Sequence, residues 1–192
     1  MPSLIEVLFT PLGWALRNSR SGERHSIVSR PGWSGPETIT VTSDSFQDAG
    51  TIDDRHSAIG RGQNLSPHLS WTGAPTATRQ YIIVIEDLDF PFDRPGLHTI
   101  GLTPADVTET GEGELVPQHD RIRWVPIHDG TRTGYAGPRP LPGHGTHHYA
   151  FRLLALDHEI PASATIDNIN QLDTHVSGHV LATGTLTGIQ RG

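Results

Sequence analysis

Tyr81-Ile-Ile-Val-Ile85 is a short, nearly unbroken apolar run rich in β-branched side chains, and Asp87 and Asp89 follow it almost at once. Such a run reads as a buried central strand, although its length alone leaves a buried helix open. Side chains on a strand alternate with a period of two, so Asp87 and Asp89 are expected to point to one side. Pro91 and Pro95 end the ladder, because proline donates no backbone hydrogen bond. His98 then returns in a second apolar segment, Leu97 to Leu102. A core strand that delivers two acids, with a histidine brought back beside them, reads as a site on a rigid scaffold.

The rest of the composition narrows what that scaffold is. The chain has 192 residues, 21 Gly and 15 Pro, with 34% hydrophobic and 18% charged residues. Many short apolar runs separated by Gly and Pro favour a loop-rich β protein in one domain, residues 1–192. Within it, residues 1–35 read as a helix-and-loop extension and residues 36–192 as the core. The net charge of -7 argues against nucleic acid or an anionic membrane as the main partner. Cysteine is absent, which excludes disulfides, thiolate catalysis and Cys-ligated zinc. All 14 basic residues are Arg, which excludes a lysine Schiff base and a P-loop lysine.

Along the chain, Leu4, Ile5, Leu8, Leu12, Ala15 and Leu16 have the spacing of an amphipathic helix, broken or kinked around Pro11. The segment carries Glu6, lacks a basic leader and is too short to span a bilayer, so no secretory signal is read there. Its apolar stripe is expected to be covered by the domain itself or by a second subunit. Ile39 to Thr42, the segment leading from Asn64 to Trp71, and His147 to Leu156 read as strands. Gly134 to Gly145 is too rich in Gly and Pro for a regular element, and long ordered loops are usually functional. Thr165 to Ala182 carries apolar residues at helical spacing, with Thr165 or Asp167 as N-cap and Gly184 near its end. Thr185 to Ile189 is the last predicted strand.

Taken singly, these signals have ordinary explanations. Two acids after a strand usually form a turn. A lone histidine is usually structural. His175 and His179 stand four apart on the predicted helix, a metal-ligand spacing, but no Glu follows His175 and no metal is assigned to them. His144, His147 and His148 form a second cluster that can attract a metal incidentally.

Together the motifs resemble the phosphatidylethanolamine-binding protein family, most closely its prokaryotic branch of Raf kinase inhibitor-like proteins. Asn64-Leu-Ser-Pro67 with Trp71 resembles the family's entry segment. Asp87-Leu-Asp-Phe-Pro91 resembles its Asp-Pro-Asp-x-Pro motif, followed by His98. Gly134-Tyr-Ala-Gly-Pro138 and Gly145-Thr-His-His-Tyr149 resemble its Gly-Pro loop and Gly-x-His-Arg-Tyr motif, and Gly178 to Ala182 resembles the end of the prokaryotic form. The resemblance runs from about Val41 to Gly188. It implies a mainly β fold, a Greek-key β-sandwich with a few peripheral helices and a small anion pocket at one end. It also implies that Asp87, His98 and His147 form the pocket, supported by Asp89, Pro91, Pro138 and Tyr149. Three departures stand out. Leu88 replaces the proline between the acids, which frees the backbone and is expected to loosen the rim. Thr99 replaces a bulky aromatic, opening the wall. His148 replaces an arginine, removing a fixed charge near the mouth.

The function that follows is binding of a small anion or phospholipid headgroup, without a cofactor and without catalysis. His98 and His147 are expected to present charged donors to a phosphate, with Asp87 and Asp89 orienting the rings and Gly-Pro-loop amides adding donors. Two other readings stand beside it. One is a kinase-inhibitor-like regulator with a protein partner. The other is a hydrolase using the Asp/His pocket, against which no Gly-x-Ser-x-Gly elbow or committed nucleophile is found, and Ser66 reads as structural. A cytoplasmic location and a homodimer complete the expectations.

Overall fold

The computed structural model describes residues 4–127 and 130–192, with the side chains of residues 4–7 outside that description. Helix α1 (Leu4–Leu16) is followed by an irregular stretch with short 3-10 turns at 23–25 and 27–29. The strands are β1 (Thr40–Thr42), β2 (Gly50–Thr51), β3 (Leu69–Thr72), β4 (Gln80–Asp87), β5 (Gly96–Pro104), β6 (Glu109–Thr110), β7 (Arg123–Trp124), β8 (Thr146–Leu156) and β9 (Val180–Arg191). Helix α2 (Ile169–Val176) lies between β8 and β9. Among the described residues the strands form a six-stranded sheet, ordered β2-β9-β8-β4-β5-β7, and a three-stranded sheet, ordered β1-β3-β6. The molecule is a mainly β sandwich with peripheral helices.

The central run is the predicted strand, β4, paired antiparallel with both β5 and β8. Its side chains do not alternate in polarity because both of its faces are covered. Tyr81, Ile83 and Ile85 join Val41, Leu69 and Trp71 of the small sheet in one core, with Tyr149, Phe151 and Leu153 of β8. Ile82 and Val84 point the other way, into a second core with Trp33, Leu172 and Val176. A fully buried Val, Leu or Ile stabilises the fold by roughly 1.5–3 kcal/mol, which makes this run the main anchor of the sheet.

The segment before β1 is bound to the second face. Glu86, almost fully buried, accepts from Ser26 Oγ at 2.6 Å, Ile27 N at 2.8 Å and Arg152 Nε at 3.2 Å. Burial pushes the Glu86 pKa up, against the pull of those three donors.

Two boundaries differ from the sequence reading. The predicted helix over residues 165–182 is only α2, capped by Asn168, whose side chain accepts from Asn170 N and Gln171 N, rather than by Thr165 or Asp167. Gly178, at φ 83°, follows the helix end, and β9 begins at Val180. Gly184 therefore sits inside a strand, not at a helix end. Val180 stands four residues after Val176 and so continues the helical spacing, but Val180, Ala182, Gly184 and Leu186 alternate as in a strand, and pairing with the whole of β8 decides between them. Helix α1 also runs through Pro11 without a break.

Candidate functional site

Sheet register brings the predicted residues together. Asp87 closes β4 and stands opposite Tyr149 of β8 on one side and Gly96 of β5 on the other. His147 is two residues from Tyr149 on the same strand, so it shares that face. On β5 the pairing jumps from Ile85↔Thr99 to Glu86↔Leu97, leaving His98 as the extra residue of a β-bulge. A bulge re-aims a side chain at the end of a ladder. The His98 ring meets the Tyr149 ring edge-on at 5.3 Å between centroids, and His147 stacks on Tyr149 at 6.4 Å. Rings from residues 98, 147 and 149 thus meet beside Asp87.

The buried heart of this cluster is a hydrogen-bonded chain. His147 Nδ1 lies 2.8 Å from Asp87 Oδ2, and His147 Nε2 lies 2.7 Å from His144 Nδ1. His144 Nε2 lies 2.9 Å and 3.1 Å from the carbonyl oxygens of Leu16 and Ser19. Carbonyls only accept, so His144 Nε2 carries a proton. One further proton must lie in the His144–His147 bond and another in the His147–Asp87 bond. Two neutral imidazoles supply only two protons. Closing the whole chain takes a third, which offsets the charge of Asp87. His147 therefore spends both ring nitrogens inside the protein and holds no N–H for a phosphate, contrary to the expected charged donor. Asp87 does orient His147, as expected. His98 Nδ1 donates to the Ala136 carbonyl at 2.7 Å.

Asp89 has a different fate from Asp87. The strand stops at Asp87, whose Oδ1 accepts the Asp89 N–H at 3.0 Å, a turn that breaks the two-residue alternation. The Asp89 carboxylate is taken up by Arg20 Nη1 at 2.5 Å, His148 Nδ1 at 2.6 Å and His148 N at 2.7 Å. It orients His148, not His98 or His147. Burial opposes its ionisation, but the bonds from His148 and Arg20 outweigh it and hold the Asp89 pKa below the ordinary carboxylate range. Arg20 also binds the carbonyls of Thr146 and His144, so a guanidinium from the preceding extension occupies the region where the family motif places one next to His147. The rim at Leu88 is tied rather than loosened. Its freed N–H donates to His148 O at 2.9 Å, and its carbonyl accepts from Gly22 N at 2.9 Å.

The Gly-Pro loop is held from below. Asn64, at φ 55°, accepts from Gly137 N at 2.8 Å and donates to Tyr135 O at 3.0 Å. Pro138 O accepts from Ala58 N. The amides of Tyr135 and Gly137 are thus bonded within the protein instead of serving a ligand. Tyr149 is fully buried. Burial, with the Asp87 charge, pushes the Tyr149 phenol well up. Ser66 Oγ accepts from Leu115 N at 3.1 Å, a structural role.

A cavity of about 430 Å³ opens over Asp87, His147 and Pro91. Pro138, His98, Tyr149 and Asp89, also expected to form the pocket, are not among the residues that line it. Phe90 and Phe92, whose rings are 5.0 Å apart, form one apolar wall, and Leu141 and Pro142 another. Arg61 and Arg139 bring cationic side chains to it, and Arg61 is held by the Arg191 carbonyl, 2.5 Å from Nη2, and by Asp54 Oδ1, 3.8 Å from Nε. Phe9, Leu12 and Leu16 of α1 close the remaining side. The helix can lie this near because Gly13 faces Pro142 O, which a Cβ would approach to 1.9 Å. Sequence reasoning missed Arg20, Arg61, Arg139 and the α1 wall. The apolar stripe of α1 was its only signal. That stripe is not covered by the sandwich: Leu8 remains 73% exposed and Leu12 46%. Leu4 and Ile5 of the stripe lie outside the described side chains. No helix among the described residues is long and apolar enough to cross a membrane.

Comparison with known proteins agrees with this fold. Residues 42–191 match the phosphatidylethanolamine-binding protein family profile. A UPF0098 protein of Methanothermobacter thermautotrophicus is 31% identical over 156 residues, covering 80% of this chain and 99% of that protein. A UPF0098 protein of Aquifex aeolicus is 28% identical over 161 residues, covering 82% of this chain and 91% of that one. The crystal structure of a phosphatidylethanolamine-binding protein homologue from Chlamydia trachomatis superposes with a TM-score of 0.69 at 25% identity, covering 81% of this chain and 99% of that one. The chain belongs to the phosphatidylethanolamine-binding protein family.

Proposed function

We propose that the cavity over Asp87 and His147 binds the polar head of a small amphiphile, an anionic phosphate or phosphoethanolamine group attached to an apolar body, and that the protein acts as a binder rather than a catalyst. The observation that carries this reading is the composition of one cavity: a buried Asp87–His147 pair at the floor, Arg61 and Arg139 at the side, and aromatic and aliphatic walls from Phe9, Leu12, Phe90 and Phe92. Guanidinium groups suit a phosphate because they present paired donors. The Asp87 carboxylate at the floor suits an ammonium or hydroxyl better than a second anion, so affinity for bare phosphate is modest. A general base at His147 is disfavoured, since both of its nitrogens are engaged.

Calorimetry with inorganic phosphate, phosphoethanolamine and dihexanoyl-phosphatidylethanolamine below its micelle threshold tests the reading. Each buried methylene adds about 0.8 kcal/mol, so two extra methylenes against the α1 wall raise affinity roughly tenfold. The chain-bearing ligand is expected to bind at least tenfold more tightly than phosphoethanolamine, and Arg139→Gln to weaken both. Equal affinities for all three ligands, or no binding of any, would refute it.

A further inference from the structure

At the far end of β8 from this cavity, three potential metal ligands converge. Asp157 follows the last residue of β8, His158 comes next, and His179 directly precedes β9. The two strands remain joined there, with Asp157 N donating to His179 O at 3.2 Å. His179 Nδ1 lies 2.9 Å and His158 Nδ1 3.2 Å from the same atom, Asp157 Oδ1. The imidazole centroids are 4.3 Å apart with the rings tilted by 56°. All three donor atoms lie within 4.8 Å of one another. Bonds of ~2.0–2.2 Å to nitrogen and carboxylate oxygen give ligand-to-ligand edges of about 3–3.5 Å. The two edges from Asp157 to the histidines, 2.9 Å and 3.2 Å, already lie near that range.

We propose that Asp157, His158 and His179 bind one divalent transition-metal ion, zinc or a neighbouring first-row ion, with solvent completing the shell. Two imidazoles and one carboxylate are the donor set of such ions and not of magnesium or calcium. The ligands are half-exposed, with side-chain exposures of 43%, 33% and 46%, so an ion has a route in and water can fill the open positions. Entry of the ion replaces the two Nδ1–H···Oδ1 bonds, each neutral ring carrying its proton on Nε2 so that Nδ1 is free to ligate. The bound ion would clamp the two ends of the excursion that carries α2, since Asp157 and His179 are 22 residues apart. This is a different site from the His175/His179 pair, because α2 ends at Val176 and His179 has left the helix.

The test is titration of chelator-treated full-length protein with zinc chloride, followed by calorimetry and by amide hydrogen exchange of residues 157–179. One equivalent is expected to bind, slowing exchange across that segment. His158→Gln and His179→Gln should each weaken binding at least tenfold, and His175→Gln should leave it unchanged. Should a variant fold poorly, substoichiometric copper(II) on the wild type gives a second readout, expected to broaden the His158 and His179 ring signals before those of the other histidines. Absence of a one-to-one event, binding that survives both His158→Gln and His179→Gln, loss in His175→Gln, or first broadening at His144 or His147 would overturn the proposal.

Discussion

Asp89 and Leu88 show how single residues tie the site together, and each yields a measurable consequence. The folded-state pKa of Asp89 is depressed, so its ionised form contributes stability above the unfolded value of about 3.9, and that contribution is lost as pH falls through the depressed folded value. Asp89→Asn removes a contribution present at neutral pH. Thermal melts from pH 7 to pH 2 should show the variant less stable than the wild type at neutral pH and the two curves converging in acid. A constant gap across that range would contradict this. Leu88→Pro removes the N–H that binds His148 O. Losing one such bond costs about 1 kcal/mol, which lowers the Tm by about 2–4 °C in a chain of this size. An unchanged Tm would show that the rim does not depend on it.

At the scale of elements, α1 is the part whose role exceeds its contacts with the sandwich. It is held at Gly13, Leu16 and the Leu16 carbonyl, while Leu8 and Trp14 face outward. Deleting residues 1–17 should lower the Tm and remove the preference for a chain-bearing ligand while sparing the headgroup affinity. It should also change the size seen by light scattering if a second copy covers the outer face of the helix. Unchanged Tm and unchanged ligand preference would show that α1 is a bystander. The strand β9 and helix α2 illustrate a limit of reading elements from pattern. Alternating and helical spacings coincide over Val176 to Ala182, and only partner strands separate them.

For the molecule as a whole, the sheet and the convergence of Asp87, His98 and His147 were legible in the sequence, because β4 announces itself by composition and the motifs around those residues keep family order. The sandwich brings those motifs to one strand end. Less legible was everything that arrives from distant loops. Arg20 meets Asp89 across 69 residues, and the His144 ring meets the Leu16 carbonyl across 128. No periodicity records such contacts. The direction of Asp89 was misread for a physical reason: strand alternation was extended past the residue where the strand ends.

The proposed function requires the cavity over Asp87 and His147 to receive an amphiphile head first. Co-crystallisation with dihexanoyl-phosphatidylethanolamine tests that most directly. The predicted result is density with the phosphate beside Arg61 and Arg139, the ammonium toward Asp87, and acyl carbons against Phe9, Leu12 and Phe90. Density only in the second cavity, about 460 Å³ and floored by Glu86, would contradict it, as would a cavity over Asp87 and His147 that holds water alone at saturating ligand.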